Sequence, residues 1–173
     1  MKTKLLLTCS MMMGMALALS GCGKKVADRA TENAIETSMR QSGAENAQVD
    51  ISNGGMKLQS DEGEMEIAGE GGSASIPADF PKDVFVDTKA KVQMAMKTPE
   101  AFVLTLVSNG SLADTAKEYD DKIKAQGWKQ DASMDMGKVH TYVYKKEDRG
   151  LTVMASSDDS NAITVNLTVE ARK

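Results

Sequence analysis

Ile163, Val165, Leu167 and Val169 alternate without a break with Thr164, Asn166, Thr168 and Glu170. A period of two marks a strand with one buried face and one wet face, and a sheet built from such strands needs a cover on its apolar side. The cover is predicted just upstream. Ser111 offers an N-cap hydroxyl and Asp114 stands three residues on, a capping box with aspartate in place of the usual glutamate. Leu112, Ala116, Tyr119 and Ile123 then form one apolar stripe at helical spacing, with Asp114, Glu118, Asp121 and Lys124 off it. Gly127 can take the left-handed conformation that ends a helix.

Around this helix the chain reads as strands. Residues 91–97 and 101–108 alternate on either side of Pro99, which cannot donate to a central ladder. Residues 128–134, 139–146, 150–156 and 162–170 follow, with turn signals at Asp148-Arg149-Gly150 and Asp158-Asp159-Ser160-Asn161. The expected fold class is α+β: an antiparallel sheet of about five strands, ordered ββαβββ, with one helix packed on one face. A short helix over residues 23–42, with Val26, Ala30, Ala34 and Met39 as its apolar face, and a small β-meander precede it. The meander is read from Val49 and Ile51, Met56 and Leu58, and Met65 and Ile67, separated by Asn53-Gly54-Gly55 and Asp61-Glu62-Gly63. Asparagine and glycine tolerate the positive φ of such turns. Residues 68–75 read as a Gly/Ser linker, and Pro77 and Pro81, bracketing Phe80, open the main domain. The expected division is residues 1–21 as signal peptide, 22–75 as tether and 76–173 as the α+β domain.

The N-terminus carries a separate message. Lys2 and Lys4 precede an uncharged, mostly apolar run over residues 5–19, which as a helix would rise about 22 Å, short of the ~30 Å hydrocarbon core. An export signal is the stronger reading over a permanent span. Leu19-Ser20-Gly21-Cys22 resembles the lipobox of bacterial lipoproteins. That resemblance implies cleavage before Cys22, a diacylglycerol on its thiol and an acyl chain on its new amino group. Several chains hold stably where one holds marginally. It also implies an envelope location, with Gly23 after the cysteine favouring the outer membrane in a diderm organism.

Removing Lys2 and Lys4 takes the net charge from -4 to about -6. Nothing basic enough for nucleic acid or an anionic bilayer surface remains. Cys9 would leave with the signal and Cys22 would carry lipid, so the mature monomer has no disulfide. The stretches Ala30-Thr31-Glu32-Asn33-Ala34-Ile35-Glu36, Ile76-Pro77-Ala78-Asp79-Phe80-Pro81-Lys82-Asp83-Val84 and Gly127-Trp128 resemble small bacterial lipoproteins that share a domain without assigned function. In that group a Pro-Val-Tyr-Pro-Gly-like turn often follows, where this chain has Phe85-Val86-Asp87-Thr88-Lys89. The resemblance implies an envelope lipoprotein with a compact domain and transfers no catalytic residue.

Candidate chemistry is sparse. His140, the one histidine, shares a strand face with Tyr142 and Tyr144 and has no local nucleophile partner, so a structural role outweighs a triad. Neither a nucleophile elbow nor a Walker loop occurs. Asp61, Glu62, Glu64, Glu66 and Glu70, and separately Asp158-Asp159, lack the alternation and closing glutamate of an EF-hand and read as solvated turns. Met94, Met96, Met134 and Met136, with His140, form a sharper pattern, because converging thioethers suit Cu(I). Methionine as flexible filler outweighs it.

The expected function is a lipid-anchored, non-enzymatic binding or interaction module of the cell envelope, held by Cys22. The membrane and an envelope protein or cell-wall component are its expected partners, and no catalytic, cofactor or metal residue is assigned. The alternatives are an envelope hydrolase using carboxylates brought together by folding, and a lipoprotein that stabilises the envelope.

Overall fold

The computed structural model describes residues 23–44 and 46–171. Two helices, α1 (Gly23–Gln41) and α2 (Leu112–Ala125), accompany nine strands. These are β1 (Gln48–Ser52), β2 (Gly55–Ser60), β3 (Gly63–Ile67), β4 (Lys91–Lys97), β5 (Ala101–Asn109), β6 (Lys129–Asp135), β7 (Val139–Lys146), β8 (Arg149–Ser157) and β9 (Ala162–Glu170). They form one sheet in the order β1-β2-β3-β4-β5-β9-β8-β7-β6, with every adjacent pair antiparallel. The first five strands meander; α2 then carries the chain to the far edge, and β6 to β9 meander back until β9 pairs with β5.

This corrects the expected five-strand ββαβββ sheet. All four segments read as strands after α2 are strands, one more than that order allows, and the early meander does not stand in front of the sheet but extends it. β3 pairs with β4 from Glu64 opposite Lys97 to Ile67 opposite Met94. A small isolated hairpin is marginal in water, and the edge of β4 supplies the ladder that stabilises it. Gly63 allows the approach: at φ +144°, a Cβ there would sit 2.1 Å from the Lys97 carbonyl oxygen.

The core lies on one face of β4, β5, β9, β8 and β7. Phe102, Leu104 and Leu106 of β5 face Val169, Leu167 and Val165 of β9, and these in turn face Leu151, Val153 and Ala155 of β8. All nine are buried. α2 caps this face with Ala116, Tyr119 and Ile123. Ser111 is its N-cap, its side chain accepting from the Asp114 amide at 3.4 Å. A bulge between Val92 and Met94 breaks the period of two, so Val92 and Ala95, three apart, both reach the core. Residues 73–74 run beside β4: the Ala74 amide donates to the Val92 carbonyl at 2.7 Å, and Ala74 joins the core.

The meander places its apolar side chains on the opposite face. The register puts Val49, Ile51, Met56, Leu58, Met65 and Ile67 on the side of Met94, Met96 and Val103, away from α2. Gln48, Asp50, Lys57, Glu64 and Glu66 lie on the core side, where β1–β3 extend past the helix.

Candidate functional site

Segments distant in sequence meet at one end of the core. The prolines set the entry turn, in which the Phe80 amide donates to the Pro77 carbonyl at 3.0 Å and the Val84 amide to the Pro81 carbonyl at 3.2 Å. That turn presents Asp83 to the β7–β8 corner. The Asp83 carboxylate accepts from both Nη atoms of Arg149 and from Lys146 Nζ at 2.8 Å. Lys146 also donates to the Gln126 carbonyl at 2.8 Å, satisfying the C-terminal end of α2. Trp128 Nε1 donates to the Asp83 carbonyl, and the Arg149 guanidinium lies 4.9 Å from the Trp128 ring centroid, a cation–π geometry. Burial opposes ionisation of Asp83, but the hydrogen bonds and charges of Arg149 and Lys146 outweigh it and hold the carboxyl down to about 2.

A cleft of about 580 Å³ opens beside this cluster, within the ~300–1,000 Å³ of small-molecule sites. Phe80, Pro81, Phe102 and Ala171 give it an apolar lining, with Lys82, Lys146 and Arg149 as cationic groups and Asp79 and Asp83 as carboxylates. Phe80 meets Phe102 edge-on at 5.7 Å, so the entry turn is pinned to the sheet by an aromatic contact as well as by the ion pairs. A larger hollow of about 920 Å³ lies along β1–β3. Two of its carboxylates are already committed to the fold: Glu36 accepts from the Val49 amide at 3.0 Å and Glu66 from the Ser75 amide at 3.0 Å.

On the far side of α2, Tyr144 Oη donates to Asp120 Oδ1 at 2.8 Å, and Lys124 closes on the other carboxylate oxygen at 2.7 Å. Burial raises the Tyr144 pKa, and the bond to Asp120 raises it further. Tyr142 stacks at a tilt against Tyr144, with ring centroids 6.2 Å apart. His140 stands on the same face, its Nδ1 3.6 Å from Asp135.

The residues singled out in the sequence fall in different places. Cys22 lies outside the described residues. Met94 and Met96 are on β4 and Met134 is on β6, with β5, β9, β8 and β7 between them. Five strand spacings are about 24 Å, so the four thioethers do not converge, and His140 projects from the face opposite Met134. Among the described residues no three His, Cys, Asp or Glu side chains gather as a metal site. The acidic stretch is divided: Asp61 accepts from Asn46 Nδ2 at 3.0 Å, and Glu66 binds the 73–75 segment. Asp158 organises its own turn, accepting from the amides of Ser160 and Ala162.

Sequence reasoning passed over the Asp83–Arg149–Lys146 cluster because its members look like turn punctuation. The one available signal was the compact Phe-Pro-Lys-Asp-Val stretch, whose aspartate follows two helix-breaking prolines.

A family model described as START domain-like matches residues 92–162, from β4 through α2 to the start of β9. The match takes in Phe102, Trp128, Lys146 and Arg149, and leaves out the entry turn and β1–β3. No curated protein and no solved structure matches the chain.

Proposed function

We propose that the protein is a lipid-anchored, non-enzymatic binding module of the bacterial cell envelope. Lipid on Cys22 holds it, and its domain seats a small ligand with an apolar body and an anionic group in the cleft beside Arg149. The observation that carries the binding reading is the START domain-like match, which points to a ligand-binding type of domain over the strands that form one wall of the cleft. Asp83, the carboxyl at the cleft, is held low by the hydrogen bonds and charges of Arg149 and Lys146 although burial opposes it, so this group is unsuited to a general-acid role. The phenyl rings of Phe80 and Phe102 suit an apolar body, and exposed Lys82 at the rim suits an anion.

Two measurements test the two halves of this reading. Trp128 is the only tryptophan and lies against the cluster, so its emission reports occupancy. Titration with the anionic dye anilinonaphthalene sulfonate should saturate with a matching change in Trp128 emission, and Lys82→Glu should weaken binding without altering the fold. Non-saturable binding, or equal affinity in the variant, would discard the cleft. For the anchor, Cys22→Ser should abolish acyl labelling and release the chain from the membrane fraction; retention of both would discard it.

A further inference from the structure

α2 and residues 73–90 contribute their buried side chains to one face of the sheet; on the other face α1 lies along β1, where Val49 is buried, and among the described residues no helix covers the strands beyond it. α1 meets the sheet at its β1 edge: Glu36 accepts from the Val49 amide and Glu32 from the Ile51 amide. The open face changes character across its width. From β1 to β5 it carries the buried Val49 and the half-buried Ile51, Met56, Leu58, Met65, Ile67, Met94, Met96 and Val103. From β9 to β7 it carries Thr164, Asn166, Thr168, Thr152 and Thr141, together with Met154 and Val143. No charged side chain stands in its interior. Lys91, Lys145 and Glu170 lie at strand ends and form a rim. This is the composition of an interface: an uncharged centre with a charged border.

We propose that this face packs against the same face of a second copy of the chain, giving a two-fold dimer in which two sheets stack. Size supports a second copy. Nine strands span eight spacings of about 4.8 Å, and strands of about six residues run some 20 Å, so the projected face is roughly 770 Å². A standard stable interface buries ~800 Å² per partner. Charge supports it too, because an uncharged face meets itself without repulsion, as an isologous contact requires. A bilayer fits less well. The β9–β7 part of the face is mostly threonine and asparagine, the face carries no aromatic residue, and the chain is net acidic, whereas surface-binding faces combine apolar anchors with basic residues. A two-fold axis running across the strands sets the methionine half on its counterpart, Ile67 and Met94, in register with Thr105, facing the same pair, and thioethers adapt readily to such a contact.

The position of the chain's N-terminal end agrees with this arrangement, a point that rests on the anchor proposed above. α1 runs antiparallel to β1, and Gly23 lies about 14 Å beyond Glu32 along the helix axis. Any two-fold axis in the plane of the interface brings both Gly23 ends to the same height along it. Tethering both copies in one membrane is therefore compatible with a face-to-face contact, and confinement to that surface raises their effective concentration.

Thr105 is the middle residue of β5, the fifth of nine strands, so it lies near the dyad whichever in-plane axis is used. In membranes from cells making the full chain, Thr105→Cys treated with a short bismaleimide should yield a species of twice the chain mass. Lys117→Cys, exposed on the opposite side, should not. Adding Met65→Glu and Met96→Glu should abolish the product while the far-ultraviolet circular dichroism is kept. A Thr105→Cys protein that stays monomeric with its sheet intact overturns the proposal. So does a crosslink to a protein of another mass, or an introduced thiol that reacts only after the bilayer is dissolved. Cys22→Ser separates the two readings: release from the membrane tests the anchor, whereas purified released protein at micromolar concentration must still give the Thr105→Cys dimer.

Discussion

Asp83 is the single residue on which most of the cleft's geometry depends. Its side chain binds two cations, its carbonyl receives Trp128 Nε1, and through Lys146 it reaches the C-terminal end of α2. Arg149 is 2% exposed, so removing its counter-ion leaves a buried charge uncompensated, which costs about 3–5 kcal/mol. Asp83→Ala should therefore lower the urea midpoint strongly, and Asp83→Ala with Arg149→Met should recover part of the loss. Recovery of nothing would show that Arg149 does not depend on Asp83. The same group sets an acid limit. Its pKa falls from 3.8 unfolded to about 2 folded, so its contribution is complete above about pH 4 and is lost as pH drops through 2. The expected magnitude is about 2 kcal/mol, read as a fall in urea midpoint between pH 4 and 2 that flattens in Asp83→Asn. None of this was legible in residue types alone. An aspartate, a lysine and an arginine, each beside a turn, carry no spacing that predicts their meeting across more than sixty residues.

At the scale of elements, the strand alternation and the α2 stripe were legible, because local periodicity is enforced by burial on one side. Which face the meander would join was not: period two says which residues share a face, never which face of the assembled sheet it matches. The same limit shows in α1. Its sequence offered Val26, Ala30, Ala34 and Met39 as an apolar stripe, yet Ala30 and Ala34 are exposed, and Asp28, Glu32, Ile35, Glu36 and Met39 are the half-buried set. The edge of β1 explains the difference. Unpaired amides recur every second residue, about 6.8 Å apart, and carboxylates at i and i+4 of a helix rise about 6 Å. Glu32 and Glu36 thus match two edge amides and close an edge that would otherwise recruit another strand. Replacing both by alanine should cost about 2–4 kcal/mol of local stability, seen as faster hydrogen exchange at Val49 and Ile51 with β7–β9 unchanged. Equal exchange in the double variant would assign the edge protection elsewhere. β6, the opposite edge, uses a different device: all seven residues are exposed, Lys129, Asp131 and Asp135 charge it, and a bulge lies between Gln130 and Ala132.

Over the whole molecule, the two-layer core makes an alkaline limit as definite as the acid one. Tyr119 on α2 and Tyr144 on β7 are both fully buried, and they lie on opposite sides of the layer boundary. Burial pushes Tyr119 up to about 12, its Oη accepting one hydrogen bond from the Asp87 amide at 3.3 Å. Tyr144 is raised as well, by burial first and then by its bond to Asp120. Unfolded tyrosines ionise near 10, so between pH 10 and the folded values the unfolded chain has released protons that the native state retains. Stability is then complete below pH 10 and declines as pH rises, by about 2 kcal/mol for Tyr119 alone at pH 12. Surface pairs such as Lys117–Asp121 decline in the same direction, but these are exposed and screened by about 0.5 M salt. Urea midpoints measured from pH 8 to 12 in that salt should fall steeply after 10, and Tyr119→Phe should reduce the slope while leaving neutral-pH stability within about 1 kcal/mol, because one long hydrogen bond is lost. A profile in the variant identical to that of the parent would show that Tyr119 ionises freely in the folded protein, and with it that α2 does not seal this part of the sheet.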